Sequence, residues 1–232
     1  MPELTKSSDE NINVLYLSKN IVSGDFYWMY QKNELKFYAV IDCTGHGVPG
    51  AFLSMLAHTG LNYAIANSIS NLPADILDEM NTFVKQALKQ QNNHSIQDRM
   101  EVGVCVYNSK TNELNYAGAS INLLYFQNKK LNIIKASKCT VGSFQPHVLS
   151  RPENHCLTMQ KGDRIFMHSD GVIDQFGAKS NKKLTSKKFK EMLEYSIGFN
   201  FEKQFKFIDD EITIWKGDME QTDDILFMCV EL

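Results

Sequence analysis

Five aspartates of this chain stand where a strand-like apolar run meets a turn. Each lies beside glycine or polar turn residues, at the start or the end of such a run; they are Asp25, Asp42, Asp170, Asp223 and Asp224. An aspartate next to a glycine is a favoured turn former, so each residue taken alone is explained by turn chemistry. Their shared placement at the ends of predicted strands favours a joint role.

Strands of one layered domain can bring their ends together, which would gather these carboxylates in one place. Clustered carboxylates repel one another unless cations neutralise them. Hard divalent ions such as Mg²⁺ and Mn²⁺ prefer oxygen ligands. The neighbouring glycines would let backbone carbonyls and a phosphate approach closely. The pattern therefore predicts a divalent-metal site that acts on phosphate, with turn formation as the alternative.

The composition of the chain bounds its class. Its 232 residues are 43% hydrophobic with a net charge of -3, which fits one large domain and lacks the basic surface of a nucleic-acid-binding protein. No apolar stretch reaches the roughly 18 residues of a membrane helix, and the polar N-terminus lacks a signal-peptide core. The five cysteines contain no C-x-x-C pair, which is typical of reduced thiols. We expect a cytoplasmic protein without a membrane segment.

The periodicity of apolar residues predicts many strands and four helices. The predicted strands are 12–17, 25–30, 35–41, 102–107, 114–117, 123–127, 131–135, 147–149, 155–158, 164–168 and 225–231. The predicted helices are 48–68, 73–90, 186–196 and 201–215. Residues 1–11 are expected to be a loose end and 12–232 a single domain, and the basic stretch 182–190 is interpreted as the solvated side of a helix start. Helices that follow the early and late strands favour an α+β fold of layered sheet flanked by helices, although periodicity alone leaves other α+β arrangements open.

Five segments of the chain together resemble one protein family. They are SGDFYW (23–28), AVIDCTGHGVPGAFLSML (39–56), YAGAS (116–120), GDRIFMHSDGVIDQFG (162–177) and QTDDI (221–225). The residues of these segments, and the order of the segments along the chain, are similar to those of the metal-dependent serine/threonine protein phosphatases. The resemblance is to the bacterial branch that is named after stage II sporulation protein E. The resemblance spans nearly the whole chain.

The resemblance implies a four-layer α-β-β-α sandwich of two antiparallel sheets flanked by helical pairs, with two Mn²⁺ or Mg²⁺ ions at one edge. By position, Asp42 would bridge both ions beside the backbone carbonyl of Cys43. Asp170 and Asp223 would complete the shell of one ion, and Asp25 would act on the other ion directly or through its waters. A water activated by the two ions would then hydrolyse phosphoserine or phosphothreonine, so no cysteine need be a nucleophile.

Further residues receive expected roles from their place in these segments. His46 is the candidate proton donor to the leaving oxygen, because histidine can be protonated near neutral pH; the alternative is that it caps the loop before the first helix. Gly45, Gly47 and Gly171 are expected to let the substrate approach the backbone.

Residues 98–101 read DRME, where the branch usually has Asp-Gly-Met-Asp. This departure leaves the two central ions untouched and alters the neighbouring loop. Glu101 and Asp224 are candidates for an accessory metal site. Arg99 is a candidate for contacting the substrate phosphate, because a guanidinium matches phosphate geometry.

Members of the branch commonly act on a phosphorylated anti-sigma-factor antagonist or a similar switch protein. We therefore expect a protein phosphatase of partner-switching signal transduction, with an upstream sensor region or protein as a second partner and a homodimer as an assembly to test. Two alternatives remain: a catalytically silent phosphatase-like binding module, and a phosphohydrolase of small molecules. Retention of a repelling acidic cluster favours the active enzyme over the silent module.

Overall fold

The computed structural model describes residues 11–68, 70–88, 98–143 and 151–232, which contain ten strands and five helices. The strands are β1 (Asn11–Leu17), β2 (Phe26–Lys32), β3 (Leu35–Cys43), β4 (Met100–Asn108), β5 (Glu113–Ala119), β6 (Leu123–Gln127), β7 (Lys130–Ile134), β8 (His155–Thr158), β9 (Arg164–His168) and β10 (Ile225–Glu231). The helices are α1 (Gly47–Asn67), α2 (Pro73–Ala87), α3 (Asp170–Asp174), α4 (Thr185–Tyr195) and α5 (Phe201–Lys216).

The strands form two five-stranded sheets in which all neighbours are antiparallel. One sheet has the order β1-β10-β9-β6-β7 and is called the β10 sheet. The other has the order β2-β3-β4-β5-β8 and is called the β3 sheet. Both β3 and β10 have a neighbouring strand on either side, so neither is an edge strand of its sheet.

Three apolar clusters separate four layers. One lies between α1, α2 and the β3 sheet, a second between the two sheets, and a third between the β10 sheet and helices α4 and α5. This arrangement is the predicted four-layer α-β-β-α sandwich, and the α+β prediction is confirmed.

The two central strands are buried on both faces, which explains their unbroken apolar sequences. In β3, Phe37, Ala39 and Ile41 face the helices while Tyr38 and Val40 face the other sheet. The strand β10 alternates in the same way between the α4–α5 layer and the inter-sheet core. Packing on both faces fixes these strands, so a polar residue at the end of one of them has a well-defined position.

Most elements lie where the periodicity predicts them, with bounds that differ by a few residues. The predicted strand 147–149 lies outside the described residues, as do the last two residues of the predicted helix 73–90 and residues 1–10 of the predicted loose end. Residue 11 already belongs to β1. The short helix α3 was not predicted, because five residues give no measurable helical period.

The cysteines take no part in a disulfide, since all five are free thiols. Burial raises the pKa of the Cys43 thiol and of the Cys229 thiol, so both stay protonated at neutral pH and are poor nucleophiles. Among the described helices, none is both long and apolar enough to cross a membrane.

Candidate active site

Acidic residues from neighbouring strands of the β3 sheet meet at one edge. Asp25 stands directly before β2, and Asp42 is the last residue but one of β3. Phe26 pairs with Ile41, so Asp25 lies across from Asp42. On the other side of β3, Glu101 is the direct partner of Asp42 in the antiparallel register.

The β10 sheet brings two more acids to the same edge. Asp170 is the first residue of α3, which follows β9, and Asp223 lies just before β10. The backbone N–H of Asp170 donates to Oδ2 of Asp42 over 3.4 Å, a contact that joins the two sheets. Residues that are 128 positions apart in sequence therefore share one site.

Asp25 is deeply buried, with 3% of its surface exposed. Its Oδ2 is buried and finds no hydrogen-bond partner among the described residues. Burial, followed by the negative charge of Asp42, raises the pKa of Asp25 to about 9. A buried carboxylate oxygen without a partner is costly, and a cation would satisfy it.

The other acids of the cluster are also difficult to ionise together. Burial and the charges of Asp170 and Glu101 raise the pKa of Asp42 to about 8. Burial and the charge of Asp170 raise the pKa of Glu101, and desolvation with the charge of Asp223 raises the pKa of Asp170. The cluster is thus a place where positive charge is strongly favoured.

The donor atoms at this edge fit hard divalent cations. All are oxygens: the carboxylates of Asp25, Asp42, Asp170 and Asp223, and the backbone carbonyl of Cys43, whose thiol is buried in the core below. Across the described ranges, no three His, Cys, Asp or Glu side chains are close enough to form a complete metal site as they stand. The roles of the individual residues as metal ligands therefore stay predictions.

The loop after β3 is built on glycines that permit a tight turn. Gly45 and Gly47 have φ angles of +85° and +68°, which favour glycine. A Cβ atom at Gly24 or Gly50 would clash with the carbonyl oxygen of Gly45, so three chain segments touch at the backbone. The space beside Gly45 itself is open, and the contact of this loop with a substrate stays a prediction. Gly171 is instead buried, and a Cβ there would clash with the carbonyl oxygen of Asp224.

Asp224 organises the loop that leads from β1 to β2. Its Oδ1 accepts the backbone N–H of Lys19 over 2.7 Å, and its Oδ2 accepts that of Gly24 over 2.8 Å. The residue is 2% exposed. Both oxygens are thus engaged by the protein, which favours a positioning role for Asp224 over the accessory metal role that the sequence suggested.

His46 contacts two residues of the same loop. Its Nδ1 lies 2.7 Å from Oδ1 of Asn20, and its Nε2 lies 3.0 Å from Nζ of Lys19. His46 occupies the N-cap position of α1, but its side chain makes no capping hydrogen bond. Lys19 and Asn20 were not predicted as site residues. In the sequence they are only two polar residues shortly before the Ser-Gly-Asp segment, which gives no indication of a role.

Arg99 borders the glycine loop without entering the acidic cluster. The backbone N–H and the hydroxyl of Thr44 both donate to the carbonyl oxygen of Arg99, over 3.0 and 2.9 Å. Its guanidinium charge lowers the pKa of Glu101, against the larger effects of burial and of Asp170. The structure thus places Arg99 beside Glu101, and its contact with a substrate phosphate stays a prediction.

The two antiparallel sheets and the flanking helices match the fold of the PP2C phosphatase domains. The family model for stage II sporulation protein E (SpoIIE) matches residues 36–232. The chain therefore belongs to the SpoIIE family, and the predicted resemblance is confirmed. A search of curated protein sequences finds no significant match.

Solved structures share the fold at low sequence identity. The PP2C domain of SiaA from Pseudomonas aeruginosa is 24% identical with a TM-score of 0.85, covering 95% of this chain and 85% of that one. The RsbU and RsbW domains of Rv1364c from Mycobacterium tuberculosis are 17% identical with a TM-score of 0.74, covering 96% of this chain and 59% of that one. RsbX in complex with magnesium is 15% identical with a TM-score of 0.67, covering 98% and 97%. At these identities the likeness shows the fold alone.

Proposed function

We propose that this chain is a divalent-metal-dependent phosphatase that hydrolyses phosphoserine or phosphothreonine on a partner protein. The observation that carries the proposal is the convergence of carboxylates from both sheets, marked by the Asp170 to Asp42 contact and by the unpaired buried oxygen of Asp25. Family membership and the complex of the related RsbX with magnesium support a metal-dependent reaction.

Asp25, Asp42, Asp170 and Asp223 would hold two Mg²⁺ or Mn²⁺ ions, with the Cys43 carbonyl and, as an accessory ligand, Glu101 nearby. When bound, such ions supply Lewis-acid activation of water and neutralise the charge of the phosphoryl group. The protein itself contributes a floor of strand ends, an open glycine loop and the positive charge of Lys19 beside His46. Lys19 would bind a phosphate oxygen beside His46, the candidate proton donor, which it contacts.

The direct test is hydrolysis of a phosphoserine peptide and of a phosphorylated switch protein with and without Mn²⁺ or Mg²⁺. We expect turnover that depends on the metal and disappears with a chelator. Metal-independent turnover would contradict the metal role. Absence of turnover, together with binding of the phosphoprotein, would favour the silent binding module.

An exposed apolar rim beside the site favours a protein substrate over a small molecule. Val48, Phe52 and Met55 follow one face of α1 and are 62%, 70% and 69% exposed. Two more exposed apolar residues, Ile21 (101%) and Val22 (39%), belong to the loop between β1 and β2. This loop contacts the first turn of α1 through Gly24. Apolar groups that cluster at a surface commonly mark a protein contact.

We predict that the double substitution Phe52→Ser and Met55→Ser raises KM for a phosphoprotein about tenfold, because it removes apolar contact area at the docking rim. Turnover of p-nitrophenyl phosphate should be unchanged, since both side chains point to solvent. The control is Tyr195→Ser, a 71% exposed residue of α4, which should leave both rates unchanged. An equal loss for both substrates would contradict a role in protein recognition.

A second prediction concerns Lys19. Lys19→Met keeps most of the length of the side chain and removes its charge, so we expect about a tenfold rise in KM for phosphopeptides. Lys19→Arg should retain most of the affinity. If Lys19 only orients His46, the two variants would instead lower kcat alike with KM unchanged, and that result would refute phosphate binding by Lys19.

The proposed partners follow from the same assignment. The substrate would be a phosphorylated anti-sigma-factor antagonist or a similar switch protein, and a sensor region or protein would regulate the site. A cytoplasmic location and a homodimeric state are part of the proposal. Comparison with nucleotide and sugar phosphates tests the small-molecule alternative, which a preference for these substrates would support.

A further inference from the structure

A cavity of about 210 Å³ lies between α4, α5 and the segment that joins α3 to α4, and no residue of the acidic cluster lines it. Its walls are apolar: Leu184 is 1% exposed, Met192 is 7% exposed, and Trp215 lies beside them. Ile214, at the rim, is 62% exposed. The site is therefore a depression that ends in an apolar floor.

Trp215 is held in a fixed orientation at this cavity. Its Nε1 donates to the carbonyl oxygen of Gln175 over 3.0 Å. The backbone of Gly177 packs so closely that an added Cβ would lie 2.6 Å from the indole ring. Nζ of Lys188 stands 3.6 Å from the ring centroid, in a cation–π contact. A wall that is already ordered loses little conformational entropy when a ligand binds.

The rim of the cavity is basic although the whole chain is acidic. Residues 179–190 contain six lysines and no acidic residue, in a chain whose net charge is -3. Lys179 and Lys188 line the cavity directly, whereas Lys183 pairs with Asp174 over 2.7 Å. Among the described residues that line it, Glu211 alone is acidic. None of the residues that line the cavity belongs to the acidic cluster, so the proposed phosphatase site does not account for the charges of Lys179 and Lys188.

We propose that this cavity is a docking site for an acidic peptide segment of a partner protein that carries one bulky apolar side chain. The apolar side chain fills the space between Leu184, Met192 and Trp215. Carboxylates on either side of it pair with Lys179 and Lys188. Charge complementarity around a small apolar pocket is the usual basis of such recognition. The proposal goes beyond the phosphatase function and does not depend on it, because docking is measured without turnover.

The shape of the site favours a peptide over a membrane surface. A lipid headgroup layer is contacted by flat or convex surfaces that insert apolar side chains, whereas here the apolar groups line a depression. A single apolar side chain fits the concave apolar floor, and acidic residues on either side of it fit the lysines at the rim. Binding to anionic vesicles therefore serves as the competing outcome.

The probe is a fluorescein-labelled peptide with one leucine between runs of aspartate and glutamate, measured by anisotropy on the full chain. Two matched peptides replace the leucine by serine or the acids by lysine. Because the chain has two tryptophans, Trp28→Phe leaves Trp215 as the single reporter of where the peptide binds. Vesicles of phosphatidylcholine with phosphatidylserine are tested in parallel.

We expect saturable binding of the acidic leucine peptide that weakens with salt and changes Trp215 fluorescence. Lys179→Glu with Lys188→Glu should weaken it about tenfold, and Ile214→Ser about threefold, since all three residues are at the rim. Lys161→Glu, an exposed loop residue outside the cavity, should have no effect. Equal binding of the three peptides, insensitivity to both rim variants, or binding of vesicles in place of the peptide would overturn the proposal.

Discussion

Replacing Asp42 by asparagine is expected to lower phosphatase turnover on the order of 10³-fold while the fold is kept. Asp42 is in contact with the backbone of Asp170, lies across from Asp25 and pairs with Glu101, so it is central to the cluster. An asparagine retains the size and the hydrogen-bond acceptor but loses the charge that would hold a divalent ion. The loss should appear in kcat and in metal affinity together.

The matched control is Asp218→Asn, an exposed aspartate in the loop after α5 that lies outside the cluster. It should leave turnover unchanged. The Asp42→Asn protein should also unfold at a higher denaturant concentration than wild type in a chelator at pH 8, because one source of repulsion is gone. A variant that keeps more than about one-tenth of the activity would contradict a central role for Asp42.

The second large effect is a loss of stability of the metal-free protein as the pH rises. In the folded state the pKa of Asp25 is about 9 and that of Asp42 about 8, both above the ordinary value of 3.8. Below pH about 4 both states carry the protons, so folding is not opposed by these groups. As the pH rises from there toward 8 or 9, the unfolded chain releases protons that the folded protein retains, and the free energy of unfolding falls.

Urea unfolding in a chelator at pH 5.5 and at pH 8 measures this effect. We expect a drop on the order of several kcal/mol in wild type and a drop of roughly half that size in Asp25→Asn, in which Asp42 still has a raised pKa. Added Mg²⁺ or Mn²⁺ should restore the stability at pH 8, in proportion to its binding to the folded protein. Equal stability of wild type at both pH values would contradict the assigned burial of Asp25.

The fold could be predicted from the sequence to the extent that apolar periodicity is strong. The buried strands β3 and β10 and the helices α2 and α5 carry clear patterns. The helix α1 is apolar all round, so its pattern does not show which face is buried, and its Phe52 and Met55 are exposed. The helix α3 could not be predicted, because five residues provide too few turns to show a period. The pairing of Asp170 with Asp42 across 128 residues comes from sheet topology, which a single strand pattern does not contain.

The sequence analysis singled out the acidic residues of the candidate site, but it did not identify the residues that contact and position them. The residue type of an aspartate at a strand end already indicates metal binding, whereas the role proposed for Lys19 depends on its contact with His46 in the folded protein. Asp224 has the same side chain as Asp223 beside it, yet accepts two backbone N–H groups and is buried. Sequence type cannot separate a ligand from a positioning residue when the difference depends on which donors the fold brings near.

The most direct test of the account is the position of bound metal in a crystal of the protein soaked with Mn²⁺, read from anomalous scattering. Our assignment predicts two peaks at the shared edge of the sheets, with one of them beside Oδ2 of Asp25 and both within reach of Asp42. Strong peaks at another surface, or none at this edge at saturating Mn²⁺, would show that the acidic cluster is not a metal centre.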